Sequence, residues 1–274
     1  MPTPNVLILR APGTNCDKET AFAFEKAGAK AEILHVNRLL DKPALFAEFQ
    51  ILCIPGGFSY GDDLAAGRIL GAQMQHHLAD EMARFKDAGK LILGICNGFQ
   101  VLMKSPVLLP PDGNGPAATL TQNDSGRFED RWVRLGVCDA GVSPADESRQ
   151  DACSTKCVFL AGIETMYLPV AHAEGKFVTR DAGVLGQLEA AGQLVLRYLP
   201  LSGGKWATDR FPDNPNGSPA GVAGVCDATG RVLGLMPHPE RHIDPTHHPR
   251  WTRGEAGVVG DGLALFVNAV KYCA

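Results

Sequence analysis

Through the first hundred residues, short apolar runs alternate with longer amphipathic stretches, and this alternation constrains the fold more than any other feature of the chain. Residues 6–9, 31–36, 51–54 and 90–95 read as strands, while 17–27, 69–88 and a segment opening near Asn97 read as helices. Strands that are apolar on both faces belong inside a parallel sheet covered by helices on both sides. Asn15 or Asp17 is placed to cap the first helix, and Gly89 to close the long one. Beyond residue 130 the pattern changes. Residues 132–137, 158–159, 166–170, 194–198, 221–226 and 232–236 read as shorter strands, divided by turns rich in Gly, Pro, Asn and Asp. These are expected to add antiparallel strands to the same sheet, with 261–272 as a closing helix. The fold class is α/β: a mostly parallel central sheet flanked by helices on both faces, with antiparallel additions.

A length of 274 residues allows one large domain or two small ones. The continuous pattern favours a single domain over residues 1–274, with the polar stretch 139–156 as a surface insertion. Lys and Arg total 26 against 30 Asp and Glu, so the net charge is −4 and no basic stripe marks a nucleic-acid partner. The apolar stretch 91–103 is interrupted by Asn97, Gly98 and Gln100, and falls short of the roughly 20 residues that span a bilayer. The N-terminus has neither a basic segment nor a small-residue cleavage site, so no membrane is expected. Eight cysteines lie scattered at 16, 53, 96, 138, 153, 157, 226 and 273, a pattern expected of a reducing cytoplasm.

One of those cysteines sits in Gly94-Ile95-Cys96-Asn97-Gly98, where an apolar strand runs into a helix. Glycines on both sides permit the sharp turn of a nucleophile elbow, which presents its central side chain at the edge of the sheet. A helix start there favours the thiolate. The alternative is a small buried apolar cysteine. Late in the chain, Pro237-His238-Pro239-Glu240-Arg241 follows another strand. Prolines around His238 enforce an extended path, so Glu240 falls on the same side and can orient the imidazole. Alone, that pair also fits a surface turn; beside the elbow it supplies nucleophile, base and orienting acid. Pro55-Gly56-Gly57-Phe58-Ser59-Tyr60-Gly61-Asp62 follows the strand at 51–54 at the same sheet edge. The Gly57 and Asn97 backbone N–H groups are natural oxyanion donors. A plain glycine turn or a phosphate cradle are the other readings, but no Gly-Lys-Ser/Thr follows.

PGGFSYGD at 55–62, GICNGFQ at 94–100 and PHPER at 237–241 together resemble the class I glutamine amidotransferase family. PGTNCD at 12–17, NDSGRFE at 123–129, AHAEG at 171–175 and NPNGS at 214–218 agree with it, so the resemblance covers the whole chain in order. Within the family it narrows to the glutaminase components of phosphoribosylformylglycinamidine synthases, in purine biosynthesis. The resemblance implies a flavodoxin-like sandwich and a cysteine glutaminase. Cys96 is then the nucleophile, His238 the base and Glu240 its orienting acid, with Gly57 and Asn97 as the oxyanion hole. It also implies that Gln100, His172 and Glu174 hold the substrate, L-glutamine, and that Asn123 and Arg127 serve the site or its framework.

No cofactor and no metal are expected on this chain, ATP and magnesium belonging to a separate synthetase subunit, accompanied by a small third subunit. Cys153 and Cys157 are too loosely spaced for a zinc site, and His242, His247 and His248 are expected on a surface loop. Two other functions compete: a catalytically silent scaffold, which the presence of both Cys96 and His238 disfavours, and a stand-alone cysteine hydrolase on a related fold.

Overall fold

The computed structural model describes residues 2–137, 155–204 and 207–274. Nearly all of the predicted insertion, residues 139–154, and Cys153 with it, lies outside the described residues. In chain order the first half comprises β1 (Asn5–Arg10), α1 (Asp17–Lys26), β2 (Lys30–His35), α2 (Val36–Asp41), β3 (Ile51–Ile54), α3 (Arg68–His77), α4 (Ala79–Asp87), β4 (Leu91–Ile95) and α5 (Asn97–Met103). There follow β5 (Ala118–Thr121), β6 (Glu129–Val137), β7 (Thr165–His172), β8 (Lys176–Thr179), α6 (Ala182–Ala190), β9 (Leu196–Leu199), β10 (Val222–Cys226), β11 (Val232–Leu235) and α7 (Leu263–Cys273). Among the described residues no helix is long and apolar enough to cross a membrane.

Nine strands form one sheet in the order β2-β1-β3-β4-β11-β10-β9-β6-β7, and β5 and β8 pair separately. The first four neighbour pairs are parallel and the next four antiparallel. Following directions across the sheet, only β10 and β6 oppose the rest, so seven of the nine strands point the same way. The strands read as uninterrupted apolar runs, β3 and β4, are buried at every position. That burial is what a sheet sandwiched between helix layers requires. Phe24 of α1 and Phe266 of α7 meet edge to face at 4.9 Å on one side of the sheet, so the last helix closes against the first.

Several local expectations give way to tertiary packing. The predicted helix 69–88 breaks at Leu78 (φ −127°, ψ 7°) into α3 and α4. Its buried residues Leu70, Met74, Leu78 and Met82 recur every fourth position, and each such step drifts about 40° around a helix of 3.6 residues per turn. The break turns the apolar face back towards the sheet. Neither Asn15 nor Asp17 caps α1: Asn15 Oδ1 accepts from the Cys16 thiol at 3.2 Å, and Asp17 is paired with Arg10. Residues 158–159 form a 3₁₀ turn (Val158–Leu160) rather than a strand, with Asn268 Nδ2 of α7 donating to Phe159 O at 3.0 Å and Ala161 O at 2.8 Å. His242 is buried, not on a surface loop. Its Nδ1 lies 2.7 Å from Tyr167 O, and its ring stands edge-on to Trp132 at 5.2 Å.

Candidate active site

The ends of β1, β3, β4 and β11 lie side by side in the sheet, and the loops that leave them share its carboxyl edge. Ligand sites of open α/β sheets gather at this edge, where side chains project from strand ends held by the core. The far strand, β7, returns to the same place although β10, β9 and β6 separate it from β11. Its Pro169 carbonyl accepts the His238 backbone N–H at 2.9 Å, and its Ala171 carbonyl lies 3.6 Å from Cys96 Sγ. The antiparallel half therefore curls over the site and supplies a wall.

Cys96 occupies the turn between β4 and α5 with φ 51° and ψ −106°, a left-handed value that a non-glycine residue holds only when its surroundings enforce it. The enforcement comes from close packing on either side. A Cβ at Gly98 would fall 1.8 Å from Ile54 O, so only glycine allows α5 to start this close to β3. Cys96 N donates to Leu235 O at 2.8 Å, tying the turn to the strand that leads to His238.

His238 and Glu240 are both buried, and His238 Nδ1 lies 2.6 Å from Glu240 Oε1. Burial works against an imidazolium, but the charge of Glu240, the Cys96 sulfur and contacts with the Cys16 and Cys96 thiols together hold the His238 pKa well above its ordinary range. His238 Nε2 has no well-formed hydrogen bond, which leaves it free to exchange a proton with the neighbouring sulfur. Cys16 backs the imidazole from the other side. Its thiol accepts from Arg241 at 3.2 Å, and burial, the largest influence, pushes its pKa up to about 11. Cys16, His238 and Glu240 place one ligand atom each within 4.8 Å of one another, the combination of donors suited to zinc. A cation there would have to displace the imidazole–carboxylate hydrogen bond.

Of the ten residues singled out in the sequence, Cys96, Gly57, Gln100, His172 and Glu174 line one cavity of about 140 Å³. His238 and Glu240 stand behind Cys96. Asn97 does not line the cavity; its side chain braces it. Asn97 Oδ1 accepts from Ser59 N at 3.2 Å, and Nδ2 donates to Asp62 Oδ1 at 3.1 Å and Gln100 Oε1 at 2.9 Å. Gln100 Nε2 donates to Glu174 O at 2.7 Å. Asn123 holds the opposite wall. Its Nδ2 donates to Arg127 O and His172 O, so its Oδ1 is the acceptor facing Gly175 N and His172 Nδ1. His172 Nδ1 must then carry the proton, leaving Nε2 as a buried acceptor without a partner among the described residues. Burial, reinforced by the charge of His238, lowers the His172 pKa to about 3, so the ring stays neutral.

Sequence reasoning passed over Asp62 and Cys16. Asp62 closes PGGFSYGD and lines the cavity together with Glu174, where burial and that neighbouring charge outweigh its hydrogen bonds from Gly67 and Asn97 and raise its pKa. No composition or periodicity rule announces it, and its φ of 55° becomes visible only in the fold. Two carboxylates facing one small cavity create a place for an ammonium group.

The model of the CobB/CobQ-like glutamine amidotransferase domain matches residues 3–273. A relative from Dehalococcoides mccartyi, named phosphoribosylformylglycinamidine synthase subunit PurQ, is 47% identical over 268 residues, covering 97% of this chain and 96% of the relative. A protein of the same name from Archaeoglobus fulgidus is 37% identical over 283 residues, covering 97% and 96%. Among solved structures, a chain of PurLQS from Thermotoga maritima superposes with a TM-score of 0.69 at 28% identity, covering 100% of both chains.

Proposed function

Given that the chain belongs to the family of CobB/CobQ-like glutamine amidotransferase domains, we propose that it draws ammonia from L-glutamine at Cys96 and hands it to a synthetase. It is a glutamine amidotransferase, the ammonia-donating glutaminase subunit of phosphoribosylformylglycinamidine synthase in purine biosynthesis, and it works in complex with a synthetase subunit. We add a small third subunit, a cytoplasmic location, and ATP and magnesium confined to the synthetase.

The observation that carries the mechanism is the left-handed turn that sets Cys96 on the cavity wall, with the unengaged Nε2 of His238 behind it. His238 takes the thiol proton, and Cys96 Sγ attacks the side-chain amide carbon of glutamine. The Gly57 and Asn97 backbone N–H groups receive the oxyanion. As the tetrahedral species collapses, the carbon–nitrogen bond breaks and the imidazolium proton leaves with the nitrogen as ammonia. A γ-glutamyl thioester remains on Cys96. Water, deprotonated by His238, cleaves it to glutamate and restores the thiol. Glu240 keeps Nδ1 protonated and balances the charge that forms on the ring. Asp62 and Glu174 hold the α-ammonium group of the substrate, while Gln100 and neutral His172 fix its orientation.

The test is glutamate release from glutamine by the purified chain, with and without the synthetase subunit, ATP and phosphoribosylformylglycinamide. Strong stimulation by the assembled complex supports the reading, whereas brisk release indifferent to partners points to a free-standing hydrolase. Cys96→Ala is expected to abolish glutamine-dependent synthesis by the complex while leaving ammonia-dependent synthesis intact. Equal loss of both activities would make Cys96 a structural residue.

A further inference from the structure

A second cavity, of about 590 Å³, lies one helical turn along α5 from the first: Gln100 lines the small one and Lys104 the large one. No residue lines both. Its size falls within the roughly 300–1,000 Å³ of small-molecule sites. α3 and α5 form one side, meeting so closely that a Cβ at Gly71 would come within 2.8 Å of Lys104 Cβ. The β5–β8 pair forms the other, through residues such as Thr119 and Val178.

Among the described residues three cations line this cavity and no acid does: Arg68, Lys104 and Arg180. Arg180 is already matched by a two-pronged contact with Asp112 at 2.8 and 2.9 Å. Arg68 and Lys104 are not. Among the described residues neither has a carboxylate within ion-pair distance, and Lys104 Nζ donates only to the neutral Thr119 Oγ1, at 2.9 Å. Burial, with the charge of Arg68, depresses the pKa of Lys104 against a smaller opposing pull from Glu174 of the first cavity. Two cations that repel one another on the wall of one cavity are balanced by an anion bound with them, and a dianion balances both. Met103, Pro106, Leu109 and Pro111 give the same cavity an apolar wall, which an inorganic anion would leave unused.

We propose that this cavity binds a small amphipathic phosphomonoester, a nucleoside monophosphate in class, with its phosphate between Arg68 and Lys104 and its ring on the apolar wall. The cations arrive from separate segments, so no nucleotide motif marks the site in the sequence. The site stands independently of the glutaminase chemistry. Because α5 begins at the residue after Cys96, a ligand held by Lys104 bears on the helix that presents the nucleophile.

Calorimetric titration of the full chain with adenosine monophosphate, adenosine and inorganic phosphate tests the proposal. The monophosphate is expected to bind, and the other two at least about tenfold more weakly, since each lacks one half of the recognition. Arg68 is exposed, so Arg68→Glu leaves the core untouched; it and Lys104→Met should each weaken monophosphate binding by about tenfold, with unchanged far-UV circular dichroism confirming the fold. Absence of monophosphate binding at millimolar concentration overturns the proposal. So does affinity unchanged in either variant, or adenosine or phosphate binding as tightly as the monophosphate.

Discussion

Asp62 and His172 face the same small cavity, and each departs from its ordinary titration for the same reason, burial. For Asp62 the consequence is a binding role. Asp62→Asn removes one of two charges available to an ammonium, and hydrogen bonds to charged groups contribute about 1.5–3 kcal/mol. The KM for glutamine is expected to rise about tenfold or more with kcat close to the parent value. A fall in kcat at constant KM would instead mean that Asp62 matters only as a brace for Asn97. For His172 the consequence is a pH dependence of stability. Its folded pKa of about 3 lies below the unfolded value near 6.5, so between those limits the unfolded chain binds more protons and stability falls as pH falls. From pH 6.5 to 5 the loss is roughly 2 kcal/mol at about 1.4 kcal/mol per unit. Urea unfolding at pH 7.5 and 5 should therefore show a smaller difference for His172→Gln than for the parent. At this scale Cys96, His238 and Glu240 were legible because each is flanked by glycine or proline, which betrays a special backbone. Asp62, although Gly61 precedes it, stands in a motif that was read for its backbone amides, and only the fold brings Cys16 to His238.

The elements most easily read in advance were those whose pattern is set by the sheet itself: β1, β3, β4 and β11 are short, apolar and bounded by turns. Where a neighbour decides, the sequence is silent. Nothing local distinguishes residues 158–160 as a turn, because Asn268, more than a hundred residues away, satisfies the carbonyls that a strand would have paired. The two glycines of α6 masked a helix that Asp181 caps through Val184 N at 2.9 Å. The break between α3 and α4 is likewise tertiary. Leu78 at the joint is fully buried, and its removal strands both halves of the apolar face. Leu78→Ala should cost roughly 2–5 kcal/mol, read as a lower urea midpoint with unchanged slope. A loss below about 0.5 kcal/mol, the level of a surface substitution, would show that the joint is not part of the core.

At the level of the whole molecule, the helix layer and the sheet are fastened by Asp227, in the turn between β10 and β11. It pairs with Lys86 of α4 at 2.9 Å while its Oδ1 accepts from Arg231 N and Val232 N, each at 3.0 Å. Burial alone would raise its pKa, but Lys86, Thr229 and the backbone donors hold it below the usual carboxylate range. Asp227→Ala leaves a half-covered ammonium and two backbone donors without their acceptor, a loss of roughly 3 kcal/mol. Asp227→Asn should recover part of it by keeping the turn acceptor; if the two variants unfold at the same urea concentration, the backbone contacts contribute nothing. The position of β11 reaches further. It is the last of the nine strands in chain order, yet it lies in the middle of the sheet, between β4 and β10. Until it emerges, the strands on its two sides have no common partner, and the nascent chain carries two half-sheets with raw inner edges. Joining them demands contacts between residues far apart along the chain, which slows folding and leaves those edges open to mispairing. The segment leaving the same strand carries His238, so the thiol of Cys96 meets its base only when the sheet is sealed.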